Sequence, residues 1–314
     1  MPPTVLCVVG PTASGKTKMG ILLAQWFNGE VVSMDSMQIY RGMTIGTAAP
    51  TPEEMEGVPH HMVAVADPRE SWSVARFTKE ADHCIQDILS RGKLPVLVGG
   101  SGLYLDAVIA GRDFAPGSSG GRVREELYRE LAEKGIAPLL EELRRVDPEA
   151  AERLHPADEK RILRALEVFR ETGKTISQHN RETADLPLRY RPLYVGLAYE
   201  DREDMKRMID LRVDEMVRLG LVDEIRALLA QGLPEDATAL QAIGYKEFLT
   251  ALRGERTLEE AADEVKLRSR QYAKRQLTWL RRNGEIHWIC WKKQRDLVSA
   301  LQNATEYLLS QGLQ

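Results

Sequence analysis

Short apolar runs that end in glycine or in a polar stretch recur through the first hundred residues. "TVLCVVG" (residues 4–10) is the first, and "EVVSM" and "LPVLVGG" follow it. Runs of this length with no polar alternation predict strands buried on both faces. Between them the spacing changes to that of helices. From Lys16 to Phe27, Met19, Leu22, Leu23 and Trp26 fall on one side. "SVARFTKEADHCIQDILSRG" is amphipathic and stops at Gly92, a residue type suited to the position after a helix end. Strands alternating with helices predict a parallel sheet covered on both faces.

The pattern breaks at "RDFAPGSSGGR". From there to about Leu186 the apolar spacing is helical only. Asp147 followed by Pro148 predicts a capped helix start. Pro156 ends that helix, and "DEKRILRALEVFRETG" predicts the next, with Ile162, Leu166 and Phe169 as its apolar stripe and Gly173 as its stop. A strand-like run returns in "LPLRYRPLYVGLA", helices continue to Arg282, and "EIHWICW" offers one more strand. The expected architecture is therefore α/β: a parallel sheet flanked by helices, with an inserted all-helical domain. The boundaries fall at 1–116 for the first part of the core, 117–186 for the insertion and 187–314 for the remainder. No internal repeat or low-complexity tract is present.

Composition narrows the classes. The chain is 43% hydrophobic and 29% charged, as ordinary globular proteins are. No run approaches the roughly 18 apolar residues of a spanning helix. The first residues lack a basic leader, so no secretory signal is expected. Three distant cysteines, Cys7, Cys84 and Cys290, suit neither a disulfide framework nor a zinc site, and point to a reducing cytoplasm. The adjacent His60 and His61 are a poor metal pair, because neighbouring positions seldom face one ion. Trp279, Trp288 and Trp291 read as core residues. Net charge is −4, yet the segment from Glu264 to Lys293 carries nine Lys or Arg against two Glu. A local basic stripe matters more for a polyanionic partner than the total does.

The chemistry starts at "GPTASGKT". Gly10, Gly15, Lys16 and Thr17 satisfy G-x-x-x-x-G-K-[ST], placed between a predicted strand and a predicted helix as the phosphate-cradling loop requires. Backbone N–H groups and the helix N-terminus would hold an anion, Lys16 would add charge, and the Thr17 hydroxyl would hold Mg²⁺. The motif makes the expected fold a P-loop NTPase-like parallel sheet flanked by helices, with the inserted all-helical domain, and leaves the reaction open. "LPVLVGG" ends without the carboxylate that nucleotide hydrolases place there, which disfavours a hydrolase but not a small-molecule kinase.

An acid does follow the second predicted strand, in "SMDSMQIYRGMTIGTAAPTPEEMEGVPHH". Here the chain resembles the tRNA dimethylallyltransferases, or tRNA isopentenyltransferases. The matching stretches are "GPTASGKT", "DSMQIYRGMTIGTAAP", "GVPHH", "LVGGSGLYLDAV", "HPADEKRILRALEVF", "GKTISQH", "QAIGYKE" and "YAKRQLTWLR", in family order from Gly10 to Arg281. The resemblance implies transfer of a dimethylallyl group from dimethylallyl diphosphate to N6 of the adenosine 3′ of the anticodon, tRNA position 37, with Mg²⁺. It implies catalytic roles for Asp35, Lys16 and Thr12. It implies a diphosphate site from Gly10, Pro11, Thr12, Ala13, Ser14, Gly15, Lys16 and Thr17 with Arg212. A positioned base suits an amine whose lone pair is delocalised into a purine ring, the role implied for Asp35; as residues alone, Asp35 reads equally as a turn cap or an outer Mg²⁺ ligand, and Arg212 as half of a salt bridge to Asp214 or Glu215.

For the tRNA anticodon stem-loop, the resemblance implies Asp35, Ser36, Met37 and Gln38, with Gln38 suited to an adenine edge. It adds Ser101, where the family usually has threonine, and Arg124, with Arg122 as the competing equivalent. Ala49 stands where the family usually has lysine. Reaching a stacked base requires extrusion and a grip on its flanking phosphates. Lys160, Arg161 and Arg164 on one helix, and Arg268, Lys274, Arg275, Arg281 and Arg282 on another, lie off the apolar stripes and suit phosphate contact. Gln241, Gly244, Tyr245 and Lys246 complete the expected tRNA surface. A monomeric cytoplasmic enzyme is expected. The competing readings are a free-nucleotide isopentenyltransferase, a P-loop small-molecule kinase and a non-catalytic RNA-binding protein.

Overall fold

The first apolar run forms strand β1 (Thr4–Val9) of the structure, a computed structural model that describes residues 2–111, 121–184 and 187–314. Its side chains divide between two buried clusters. Val5, Cys7 and Val9 enter one, Leu6 and Val8 the other, as a side-chain period of two dictates. A strand apolar on both faces needs a layer on each, and the rest of the chain supplies them.

Helix α1 (Lys16–Trp26), β2 (Gly29–Ser33), β3 (His60–His61), α2 (Val74–Ser90), β4 (Leu94–Gly99) and α3 (Gly102–Ala110) follow in order. Then come α4 (Arg122–Lys134), α5 (Ile136–Val146), α6 (Pro148–Arg153), α7 (Glu159–Thr172) and α8 (Ile176–Ala184). The sheet resumes with β5 (Arg191–Tyr199), followed by α9 (Arg202–Arg218), α10 (Leu221–Ala230), a 3-10 turn (Thr238–Gln241), α11 (Tyr245–Leu252) and α12 (Leu258–Leu280). Strand β6 (His287–Trp291) and α13 (Leu297–Ser310) end the chain. All six strands are parallel, in the order β3-β2-β4-β1-β5-β6. Phe77 and Ile85 of α2, with Leu105 of α3, cover one face; Met19 and Leu23 of α1, with Ala304 and Leu308 of α13, cover the other.

The chain divides into two compact units, Met1–Gly111 with Arg189–Gln314, and Arg112–Leu188. The predicted boundaries at 116/117 and 186/187 lie outside the described residues. The second unit has its own core, in which Leu127, Leu139, Leu143, Ile162 and Leu166 are buried together. Its α6 begins as predicted: Asp147 accepts a hydrogen bond from the Ala150 N–H, with Pro148 in the first turn.

Two expectations are corrected. Trp26 was placed on the buried side of α1 but is 62% exposed, while Gly20 and Ile21 face inward. The reason is close packing: a Cβ on Gly20 would lie 2.4 Å from Val98 Cγ2, so the glycine sets which face meets the sheet. Trp279 is not core either. It is 38% exposed, and its Nε1 donates to Asp106 Oδ2 (3.0 Å). Strand β3 and helix α13 were not foreseen at all.

Candidate active site

In the α/β unit, loops leaving the C-terminal ends of β1 and β2 meet α9 and α12 around a cavity of about 270 Å³. Carboxyl ends of parallel strands are where such folds place their ligands. The phosphate loop forms one wall through Thr12, Lys16 and Thr17. Gly10 admits no side chain, since a Cβ would sit 2.5 Å from the Leu197 carbonyl. Ala13 (φ 60°) and Gly15 (φ 86°) are left-handed and turn the loop tightly into α1. Lys16 Nζ donates to the Pro11 carbonyl (3.2 Å), and the Thr12 N–H donates to Gln276 Oε1 (2.8 Å).

Burial holds the Lys16 ammonium down to about 8; the Arg212 guanidinium pushes the same way, Asp35 opposes it, and Arg295 adds to the depression. Arg212 is itself depressed, chiefly by burial. Its salt-bridge reading fails, because Asp214 pairs with Lys266 (2.6 Å) and Glu215 with Arg218 (2.6 Å). Instead Arg212 lines the cavity, one Nη donating to the Thr47 carbonyl (3.4 Å). Its Nε is a buried donor with no acceptor among the described residues. Two half-buried cations and an orphaned donor beside a loop of N–H groups are a set suited to an anion.

The β2 loop brings the acid. Asp35 Oδ1 accepts from the N–H groups of Met37 (2.9 Å) and Gln38 (3.4 Å), so the turn-cap reading is correct for that oxygen. Oδ2 makes no hydrogen bond among the described residues, and Asp35 lines the cavity with Lys16. Ser36 and Met37 line it too. Gln38 departs from expectation. Its Oε1 accepts from Ser33 Oγ (2.8 Å), and its Nε2 donates to the carbonyls of Thr47 (3.3 Å) and Ala48 (3.2 Å). Both Nε2 hydrogens are spent on the pocket wall, so Gln38, which lines the cavity, offers it only the second lone pair of Oε1.

That wall, residues 44–48, is gripped from outside by Glu224. Its carboxylate accepts from the N–H groups of Thr44 (2.8 Å), Ile45 (2.8 Å) and Gly46 (3.2 Å), and from the Tyr245 hydroxyl (2.6 Å). Tyr245 is therefore corrected from a tRNA contact to a core residue, fully buried against Gly46. Neither role was legible in the sequence, because the partners lie some 180 positions apart. Removing the acceptor in Glu224→Ala is expected to cost at least about 2 kcal/mol in urea unfolding, since hydrogen bonds to charged groups contribute about 1.5–3 kcal/mol each. Glu224→Gln should recover part of the loss.

The cavity also has an apolar lining: Ile209, Val213 and Met216 of α9, Val265 of α12, and Ala242 with Ile243. Tyr272 and Gln276 of α12 close it, and Tyr272 bonds Ser101. Sequence reading assigned neither Tyr272 nor Gln276, although both lie in a matching stretch. Gln241 reaches the cavity edge. Gly244 is left-handed (φ 102°) and buried, while Lys246 is exposed. On α12 the basic stripe divides. Lys266, Arg268 and Arg270 pair with Asp214, Glu264 and Asp210, whereas Lys274 and Arg275, with Arg281 just beyond, are exposed. Ala49 is buried.

The remaining expected contacts lie in the helical unit. Arg124 and Arg164 both bind Glu167, at 2.9 Å and 2.7 Å, and Glu167 is 1% exposed. With Lys160 they line a small cleft, while Arg161 is exposed. Arg122 pairs with Glu126 on the surface, so only Arg124 belongs to the cleft. His60 Nδ1 donates to the Val58 carbonyl, and His61 Nε2 meets the buried Glu30, which also pairs with Arg91 and Lys93.

Family comparison bears on which anion this is. A family model described as IPP transferase matches residues 38–283, and one described as isopentenyl transferase matches residues 3–64. The chain belongs to the IPP transferase family. It is 43% identical over 306 residues to a tRNA dimethylallyltransferase of Thermoanaerobacter sp., covering 97% of each chain. It is 46% identical over 284 residues to one from Halalkalibacterium halodurans, covering 90% of each. Among solved structures, a tRNA isopentenylpyrophosphate transferase from Staphylococcus epidermidis matches at 39% identity and TM-score 0.71, covering 98% of this chain and 99% of that one. A eukaryotic dimethylallyltransferase acting on tRNA matches at TM-score 0.82 and 30% identity, covering 99% and 80%. The P-loop-like α/β fold expected from the sequence is the fold of this family.

Proposed function

We propose that this chain transfers a dimethylallyl group from dimethylallyl diphosphate to N6 of adenosine 37 in the anticodon loop of tRNA. One observation carries the choice of donor: the cationic phosphate loop, the apolar wall of α9 and α12, and Asp35 share a single cavity. A prenyl diphosphate has the same division, an anionic end joined to an apolar one. A nucleotide hydrolase would take its triphosphate here, yet β4 ends in glycines where a Mg²⁺-binding carboxylate is usual. Even a methyl group at Gly99 would lie 2.4 Å from the Met34 carbonyl.

The mechanism follows from charge. The N6 nitrogen attacks the allylic carbon, the C–O bond to diphosphate breaks, and its electrons leave with the diphosphate. Lys16, Arg212 and the loop N–H groups face that growing negative charge without reorganising. The N6 proton passes to Asp35 Oδ2, the oxygen not used by the turn. Mg²⁺ fits this set: a phosphate loop supplies one hydroxyl, here Thr17, and the remaining ligands come from phosphate and water. Bound there, the ion would add Lewis-acid neutralisation of the diphosphate. The exposed Lys274, Arg275 and Arg281 suit tRNA phosphates. The same reading makes the protein a monomer of the cytoplasm; no helix among the described residues is long and apolar enough to cross a membrane.

The test incubates protein, Mg²⁺, dimethylallyl diphosphate and unmodified tRNA, then digests the tRNA and weighs its nucleosides. A C5 addition to adenosine 37 is expected. ATP consumed without a prenyl donor would support the kinase, and preference for AMP over tRNA the free-nucleotide enzyme. A pH profile adds a second check. Lys16 is cationic below about 8 and neutral above it. Because kcat/KM reports the free enzyme, its value for the donor should fall as pH rises through that point. Lys16→Met should remove this alkaline limb.

A further inference from the structure

A loop that turns its N–H groups toward an anion must turn carbonyls the other way, and those outward carbonyls need donors. Here the donors come from the far end of the chain. Tyr199, the last residue of β5, donates its hydroxyl to the Ala13 carbonyl (3.1 Å). Trp291, the last residue of β6, donates Nε1 to the Ser14 carbonyl (2.7 Å). Arg295, four residues past β6, donates Nη2 to the same Ala13 carbonyl and Nε to the Tyr199 oxygen (2.7 Å). The Arg295 stem runs along the back of Gly15, about 3.5 Å from where a Cβ would stand.

These contacts fall where the loop is least self-supporting. Ala13 is left-handed at φ 60°, a conformation that a non-glycine residue keeps only when its surroundings hold it. Arg295 holds it on two sides, through the Ala13 carbonyl directly and through the Tyr199 hydroxyl that bonds the same atom. Its guanidinium is also close enough to Lys16 and Arg212 to act on both electrostatically. Arg295 does not line the cavity. It therefore works across the loop, not on the ligand directly.

We propose that Arg295 is a positioning residue of the diphosphate site: from behind, it locks the phosphate loop in its anion-binding shape and adds a third positive charge to Lys16 and Arg212. The proposal rests on reading the cavity as a diphosphate site. It extends that site to the segment after β6, beyond every motif in the sequence. An arginine is suited to the position because its fork reaches two acceptors at once, which a lysine ammonium on a flexible stem does less well.

The experiment titrates inorganic pyrophosphate with Mg²⁺ into the full chain by calorimetry, for the wild type, Arg295→Gln, Arg295→Lys and Tyr199→Phe. Donor and tRNA KM values are measured beside it. Arg295→Gln is expected to weaken pyrophosphate binding about tenfold and raise the donor KM similarly, leaving the tRNA KM within about twofold. Arg295→Lys, which keeps the charge, and Tyr199→Phe, which keeps Arg295 itself, should each lose about threefold. The pH profile separates positioning from mere support. Lys16 faces Arg212, Arg295 and Asp35; with Arg295 neutralised, one of the two charges depressing it is gone, so the alkaline limb should move up in Arg295→Gln and stay in place in Tyr199→Phe. Unchanged pyrophosphate binding in Arg295→Gln overturns the proposal. So do donor and tRNA KM values that rise together with an unmoved limb, since those report a general loss of structure. A wild type that fails to bind pyrophosphate overturns the diphosphate reading itself, which this measurement probes without any prenyl transfer.

Discussion

Asp35→Asn should fold normally, bind both substrates and transfer the prenyl group about a hundred- to ten-thousandfold more slowly, the range a positioned general base contributes. The two oxygens of Asp35 explain why asparagine is the informative replacement. Oδ1 holds the turn through the Met37 and Gln38 N–H groups, and an asparagine carbonyl accepts the same two bonds. What is lost is the capacity to take a proton, together with the negative charge that supports the Lys16 ammonium. A drop in kcat with KM values within about threefold would locate the effect in the transition state. Asp35→Ala removes both functions, so it should lose melting temperature as well as rate. Single-turnover transfer measured beside thermal unfolding separates the two. Asp35→Asn turning over like the wild type would mean that the proton leaves by another route.

The same pair of oxygens shows how far the sequence could be read. That an acid stands after the second strand follows from an apolar run and its polar successor. That one of its oxygens is already spent does not, because the turn between Asp35 and Gln38 is set by backbone angles. The phosphate loop was fully legible, since its spacing is local and its context, strand then helix, lies within some thirty residues. Arg212 was ambiguous in sequence, with acids two and three positions along the helix; the structure decides it by turning those acids to Lys266 and Arg218. Tyr245 was misread because a polar group in a family motif suggests a ligand, but its hydroxyl is consumed by Glu224 and its ring is fully buried. Gln38 lines the cavity, with both Nε2 hydrogens given to the 44–48 wall. Helix α13 carried a signal that went unused: Asp296 caps it, and Ala300, Ala304 and Leu308 form its buried stripe. Strand β3, two residues long, is too short for any periodicity to reveal. Arg295 and Glu224 were invisible because the loop groups they hold lie 282 and about 180 positions away, and charge on an exposed-looking segment ordinarily means solvent.

Lys16→Met should lower kcat/KM for the donor by about two to three orders of magnitude, the effect of removing one pre-aimed stabiliser of developing negative charge. The expectation rests on burial. An exposed lysine is replaced by water at little cost, but Lys16 is deep enough that burial is the main force on its proton. Methionine fills the same volume and leaves the diphosphate facing Arg212 with one cation fewer. The result should differ in kind from that of Asp35→Asn. The cation acts on the leaving group in both the ground and transition states, so the donor KM and pyrophosphate affinity should weaken along with kcat, while tRNA affinity in a filter-binding assay stays near that of the wild type. Lys16→Arg should not rescue activity. The loop is tight around Pro11 and Gly15, the lysine donates a single hydrogen bond to the Pro11 carbonyl, and a planar fork has no second acceptor on that side. Should Lys16→Met instead bind pyrophosphate normally and lose only tRNA affinity, the anion held by this loop would be a nucleic-acid phosphate, and the departing diphosphate would have to be stabilised elsewhere.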